Sequence, residues 1–127
     1  CSSEARYRAY DEASLAHWSP RKVAEQARKQ RGLLKSAWRA LKPGGRLVYA
    51  TCSLSLEENE LQLDRLLRRF ADADIVAVEV PDEVPGRPGR VRAGSKELDP
   101  RIARAVRVLP NDVFDGLFIA LLQKDRR

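Results

Sequence analysis

A chain of 127 residues is long enough for one domain around one core, and 43% hydrophobic against 33% charged residues marks it as globular rather than disordered. Its formal charge of +6 and sequence pI near 9.7 suit a polyanionic partner such as nucleic acid. No apolar run reaches membrane-spanning length and no signal-peptide pattern is visible; the two cysteines, far apart, neither form a secreted disulfide framework nor close a zinc site, so a reducing, cytoplasmic setting is expected.

The chain begins at Cys1 and contains no methionine, which reads as a piece of something longer. Residues 1–19 mix polar, basic and aromatic side chains without a sustained period, so loop with a short helical portion is expected. His17 is the only histidine; no carboxylate can be assigned to it, and it reads as a polar residue rather than a base. Ser19-Pro20 is a helix start, with serine as N-cap and proline at the first helical position. Val23, Ala27, Gln30, Leu34, Ala37, Trp38 and Leu41 then recur at helical spacing, which predicts a long amphipathic helix ending before Pro43. Its other faces carry Arg21, Lys22, Arg28, Lys29, Arg31 and Lys35, a set that either touches phosphate or is simply solvated. Trp38 reads as a core anchor.

Pro43-Gly44-Gly45 introduces Leu47-Val48-Tyr49-Ala50, a strand that runs into Thr51-Cys52-Ser53. Ser55 and Glu58 have capping-box spacing, so a second helix is expected from near Leu56, with its N-terminal dipole close to Cys52. A thiol delivered outside the carboxyl end of a strand, beside positive potential, has the makings of a nucleophile. The same position also suits a small packed hydrophobe, and the spacing leaves both readings open.

Leu56, Leu63, Leu66, Leu67 and Phe70 give the second helix its buried stripe, Asp72-Ala73-Asp74 breaks it, and residues 75–80 read as a strand. Helix, strand, helix, strand argues for a layered α/β unit with an at least partly parallel sheet. Residues 81–105 are broken by Pro81, Pro85, Gly86, Pro88, Gly89 and Gly94. They are charged by Arg87, Arg90, Arg92 and Lys96, and are expected to form a flexible basic loop, either an RNA clamp or a plain insertion. Residues 106–109 are expected to make a short strand. Leu117 to Leu122 should make a stronger one, buried on both faces and joined to its predecessor in an antiparallel hairpin through a turn at Asp115-Gly116.

Taken together, these motifs resemble the C-terminal half of the catalytic domain of the NOL1/NOP2/Sun family of RNA cytosine-5 methyltransferases. Cys1-Ser2 is similar to the end of that family's Asp-Ala-Pro-Cys-Ser motif. Residues 41–53, from Leu41-Lys42-Pro43-Gly44-Gly45 to Thr51-Cys52-Ser53, followed by Glu57-Glu58-Asn59-Glu60, resemble its second cysteine motif, with Leu56 where a proline is usual. Asp115-Gly116-Leu117-Phe118-Ile119-Ala120 resembles the closing strand. The resemblance implies a partial Rossmann-like methyltransferase fold, α/β, with a mixed sheet and a C-terminal antiparallel hairpin. Residues 1–127 would form the half that lacks the S-adenosylmethionine-binding loop.

It also implies a mechanism. A cysteine thiolate adds at cytosine C6, C5 then attacks the methyl of S-adenosylmethionine, and loss of the C5 proton with elimination of the thiol releases the product. Cys52 takes the nucleophile's place and Cys1 that of the cysteine assisting release. The target base leaves its stack to react. RNA, ribosomal or transfer, is the implied partner. The chain alone is expected to be inactive and to hold no S-adenosylmethionine tightly. Both helices are expected on one sheet face, leaving apolar surface that favours self-association or pairing with the N-terminal half. The alternative is a non-catalytic basic RNA-binding module in which both cysteines are bystanders.

Overall fold

The computed structural model describes residues 18–127. Helix α1, Pro20–Ala40, starts as expected: the Ser19 side chain accepts from the Lys22 N–H and proline stands at the first position. Val23, Ala27, Gln30, Leu34 and Trp38 make its buried stripe. Extended backbone at Leu41 ends it, and Gly44, at φ +76°, supplies the left-handed residue that turns the chain into β1, Arg46–Thr51.

The remaining elements are α2, Glu60–Arg69; β2, Ala73–Val76; β3, Gly86–Pro88; β4, Arg92–Ala93; β5, Lys96–Glu97; a 3-10 turn, Pro100–Arg104; β6, Val106–Val108; and β7, Leu117–Lys124. Strand β7 is the hub. Leu121 and Leu122 pair with Val48 and Leu47 of β1 and also with Val76 and Ile75 of β2, so β1 and β2 lie on opposite edges of β7. Ile119 is likewise shared between Ala50 of β1 and Val106 of β6, which puts β6 on the β2 side. Strand β3 then joins β6, while β4 and β5 form a separate ribbon.

Every pairing among the described residues is antiparallel. Strands β1 and β2 do run in the same direction, as the alternation of helix and strand implies, but β7 is inserted between them, so their parallel relation is that of second neighbours. The C-terminal hairpin forms between β6 and β7. Its connection is not a tight Asp115-Gly116 turn: it spans 109–116 and is organised by Asn111, whose Oδ1 accepts from the Val113 and Phe114 N–H groups.

Both helices pack on one sheet face, around Leu34, Trp38, Leu63, Leu66, Ile75, Phe118 and Leu122. Strand β7 is therefore buried on one face only: Phe118, Ala120 and Leu122 have no exposure, whereas Leu117, Ile119 and Leu121 are half-buried. Across from them Val48 is 62% exposed. The near-continuous apolar run of β7 points to burial on both faces; the second face is covered over β6, where Val106 and Val108 are buried, but only partly over β7 itself.

Three boundaries differ from expectation. Helix α2 begins at Glu60 rather than near Leu56, because residues 56–59 form turns, with the Leu56 carbonyl accepting from both the Asn59 and Leu61 N–H groups. Strand β2 stops at Val76, beyond which the Val78 N–H turns to the Arg104 carbonyl. Residues 81–105, read as a loop, instead hold three short strands and the 3-10 turn. The closest approach there is at Gly89, where a Cβ would stand 2.3 Å from the Ile102 carbonyl oxygen.

Candidate active site

The end of β1 alternates strictly: Thr51 points in, Cys52 is exposed, and Ser53 is fully buried. What holds Cys52 outward is a buried polar network beneath it. Thr51 Oγ1 donates to Asn59 Oδ1, Asn59 Nδ2 donates to the Ser53 carbonyl at 2.7 Å, and the Ser53 N–H donates back to Thr51 Oγ1 at 3.2 Å. The residues on either side of Cys52 are thus tied to one asparagine with no exposure.

Glu58, equally buried, anchors the other side of the turn. Its carboxyl accepts from Ser53 Oγ at 2.8 Å, Ser55 Oγ at 3.1 Å and Gln30 Nε2 of α1 at 3.0 Å. Tyr49 Oη donates to its carbonyl at 2.6 Å; burial, with the Glu58 charge adding, lifts the phenol well above its ordinary range, so Tyr49 stays a donor. A carboxyl taken from water is costly unless its oxygens are satisfied, so this cluster holds one arrangement and resists others.

A second brace comes from β6. Arg107 donates to both oxygens of Glu60, at 2.6 Å each, and to the Leu54 carbonyl at 2.8 Å. Both partners are nearly sealed, at 7% and 0% side-chain exposure, and Glu60 also accepts from the Arg90 N–H. Bidentate arginine–carboxylate geometry is directional, which fixes the residue two beyond Cys52 relative to both α2 and the hairpin.

Cys52 therefore stands exposed at the carboxyl end of a strand that is an edge among the described residues. A cleft of about 250 Å³ lined by Leu33, Leu34, Ala37, Val48 and Thr51 runs between α1 and β1 up to its neighbour. Cys1 and His17 lie outside the described residues. The expected start of that helix is corrected: Ser55 and Glu58 do bond each other, the Glu58 N–H donating to Ser55 Oγ at 3.3 Å, but they cap a turn, and α2 starts two residues after Glu58, its N-cap Asn59 bonded to both neighbours of Cys52.

Of the basic residues singled out in 81–105, Arg90 lies beside the start of α2 through its backbone bond to Glu60. Lys96 reaches Asp64, one turn further along α2, at 3.5 Å. Arg87 and Arg92 are exposed on β3 and β4. The structure spreads these four along the hairpins rather than gathering them at Cys52. Sequence reasoning missed Thr51, Ser53, Glu58, Asn59, Glu60 and Arg107 as supports. The Glu57-Glu58-Asn59-Glu60 run held a signal for three of them, whereas nothing in the sequence around Arg107 pairs it with Glu60.

The described residues do not fit S-adenosylmethionine. Glu58 and Glu60, in the network beneath Cys52, are sealed and committed to protein partners, and no glycine-rich turn opens either helix.

Comparison with known proteins gives a consistent set of relatives. The family described as 16S rRNA methyltransferase RsmB/F matches residues 1–123. Ribosomal RNA small subunit methyltransferase F of Aeromonas salmonicida is 51% identical over 73 residues, 58% of this chain and 15% of that protein. Methyltransferase B of Vibrio cholerae is 37% identical over 103 residues, 80% of this chain and 19% of that protein. Among solved structures, a methyltransferase homologue from Pyrococcus horikoshii superposes with a TM-score of 0.76 at 33% identity, covering 85% of this chain and 34% of its own. NSun6 from Pyrococcus horikoshii gives 0.61 at 28% identity, covering 84% and 24%. The chain thus spans a minor part of each relative's length.

Proposed function

The chain belongs to the RsmB/F family of 16S rRNA methyltransferases, and from that membership we propose that it carries the thiol by which such an enzyme bonds covalently to a cytosine of RNA. The resemblance to NOL1/NOP2/Sun proteins is borne out by these matches, as is the Rossmann-like methyltransferase fold. The single observation that supports the chemistry is Cys52 itself: an exposed thiol on a turn whose flanking residues are locked underneath.

In this reading the Cys52 sulfur, as thiolate, forms a bond to C6 of the ring, and the C5–C6 π pair moves toward C5, making it nucleophilic. Reversal breaks the S–C6 bond and returns the electron pair to sulfur. Thr51, Ser53, Asn59 and Glu58 hold the sulfur's position and do not touch the base. S-adenosylmethionine is the methyl donor that the family implies, supplying an electrophilic methyl group; the described residues form no site for it. Cys1 takes the role of assisting release. The substrate is RNA, ribosomal in view of the relatives' names, and the setting is cytoplasmic.

The test uses this chain in place of the matching segment of the Aeromonas salmonicida methyltransferase F. RNA containing 5-azacytosine should form an adduct stable to denaturing gel electrophoresis, and Cys52→Ala should abolish it. An adduct that survives Cys52→Ala sinks the proposal; steep salt-dependent binding with no adduct at all returns the chain to the binding-module reading.

A further inference from the structure

The groove between α1 and α2 lies outside the Cys52 network. It has a volume of about 500 Å³ and a floor of Leu34, Leu66 and Phe70. Its walls carry Arg31 and Lys35 from α1, and Arg65, Arg68 and Arg69 from α2. Arg31 and Lys35 stand four residues apart, as do Arg65 and Arg69, so each helix contributes a short row of cations along the groove.

These charges are poorly compensated. Arg68 and Lys96 share the buried Asp64, and Arg69 lies over the Phe70 ring at 5.8 Å. Arg31, Lys35 and Arg65 make no ion pair among the described residues. The one carboxylate on α1, Glu25, is taken by Lys22 and Lys29. Desolvation and, after it, the like charge of Arg31 hold the Arg65 guanidinium below its ordinary value. Folding therefore gathers positive charge here in spite of its mutual repulsion, which an anion laid between the helices relieves.

We propose that this groove is a second contact surface for RNA, holding a phosphodiester strand between the cation rows of α1 and α2. Arginine suits phosphate oxygens by its planar fork, and the apolar floor with half-buried Phe70 accepts sugar or base surface as an acidic polypeptide's carboxylates do not. The two helices run alongside each other, Ala27 meeting Gln62 and Trp38 meeting Phe70, and the groove follows α2 from Gln62 to Arg69, about 10 Å along the axis at 1.5 Å per residue. It would thus hold substrate flanking the reacting base. This rests on RNA as the substrate but not on the thiol chemistry.

Binding of the 127-residue chain to a fluorescent single-stranded oligoribonucleotide, followed by anisotropy across a salt series, tests it. Arg31→Glu with Arg65→Glu should weaken binding at least tenfold at low salt. Arg31→Gln with Arg65→Gln should reduce the log–log salt slope by ~1.4, at ~0.7 per phosphate contact on a single strand. The glutamine pair serves if the charge reversal fails to fold by circular dichroism. Lys42→Glu with Arg127→Glu, an equal charge change at exposed sites elsewhere, should have a several-fold smaller effect. Equal losses in the two glutamate pairs, an unchanged slope in the glutamine pair, or displacement of the RNA by polyglutamate at matched charge would each overturn the proposal. Anisotropy reads reversible binding and the gel reads the covalent adduct, so failure of the adduct assay and failure of the groove are separate results.

Discussion

Asn59 reconciles two demands on one turn: Thr51 needs an acceptor for its hydroxyl and the Ser53 carbonyl needs a donor, and an amide side chain offers both. Asn59→Ala removes the short bond from each group and leaves them only the 3.4 Å contact of Thr51 Oγ1 with the Ser53 carbonyl, at a cost of about 1–3 kcal/mol. It should lower the urea midpoint and slow adduct formation at Cys52 by more than the loss of stability explains. Arg107 sets a sharper test. Arg107→Met strands the Glu60 carboxylate in a sealed site, and breaking a buried pair from one side costs about 3–5 kcal/mol. Glu60→Gln combined with Arg107→Met should recover a large part of that loss, measured by equilibrium unfolding; a double variant no more stable than the single one would remove the ion pair as the cause. At this scale the sequence was informative about Cys52, whose strand-end position follows from the apolar run before it. It was silent about Arg107, because a pair separated by 47 residues leaves no local pattern.

The elements divide by how their ends are made. Helix α1 was legible because its start is local: Ser19, Pro20 and a periodic stripe agree. The start of α2 was not, since Ser55 and Glu58 have capping spacing yet Glu58 is drawn inward by Ser53 and by Gln30, the latter contact forming only once α1 is packed. The segment 81–105 was misread for the same reason. Strand β3 depends on a distant partner, β6, and on Gly89, where the chain passes so close to the 3-10 turn that a methyl group meets backbone, whereas β4 and β5 pair with each other. Gly89→Ala should cost about 1–3 kcal/mol by overpacking, seen as a lowered melting temperature, whereas Gly94→Ala, with open space around it, pays only for its φ of +63°.

Asp64 ties the same segment to α2. Desolvation pushes its carboxyl up, but Arg68, the Asp99 N–H and Lys96 together outweigh that and hold it below the usual 3.8. A carboxyl depressed in the folded state binds protons more readily when unfolded, so its contribution is whole above that unfolded value and fades as pH falls below it. Asp64→Asn should therefore flatten the acid limb of a stability–pH curve while destabilising the chain at neutral pH, measured by urea titration at a series of pH values.

For the molecule as a whole, the two-layer arrangement leaves work undone. Both helices cover the Phe118–Ala120–Leu122 side of β7, and the opposite face, buried at Val106 and Val108 of β6, opens toward β1, where it presents Val48 beside the half-buried Ile119 and Leu121. Strand β1 adds an edge unpaired among those residues, bordered by Leu33 at 60% exposure and Val48 at 62%. A free edge and an apolar face together form a template for another strand, and sheet proteins ordinarily blunt such edges with charge or cover them. The flank of β1 carries Arg46 at its start but only Val48 and Ala50 toward Cys52. In isolation the chain should therefore associate with itself or with the complementary part of a relative. Sedimentation velocity should show mass rising with concentration, and Val48→Lys should suppress the rise without lowering the unfolding midpoint, since that side chain is exposed already. A monomer at every concentration, in the parent as in the variant, would mean that the edge and face are protected by residues outside those described.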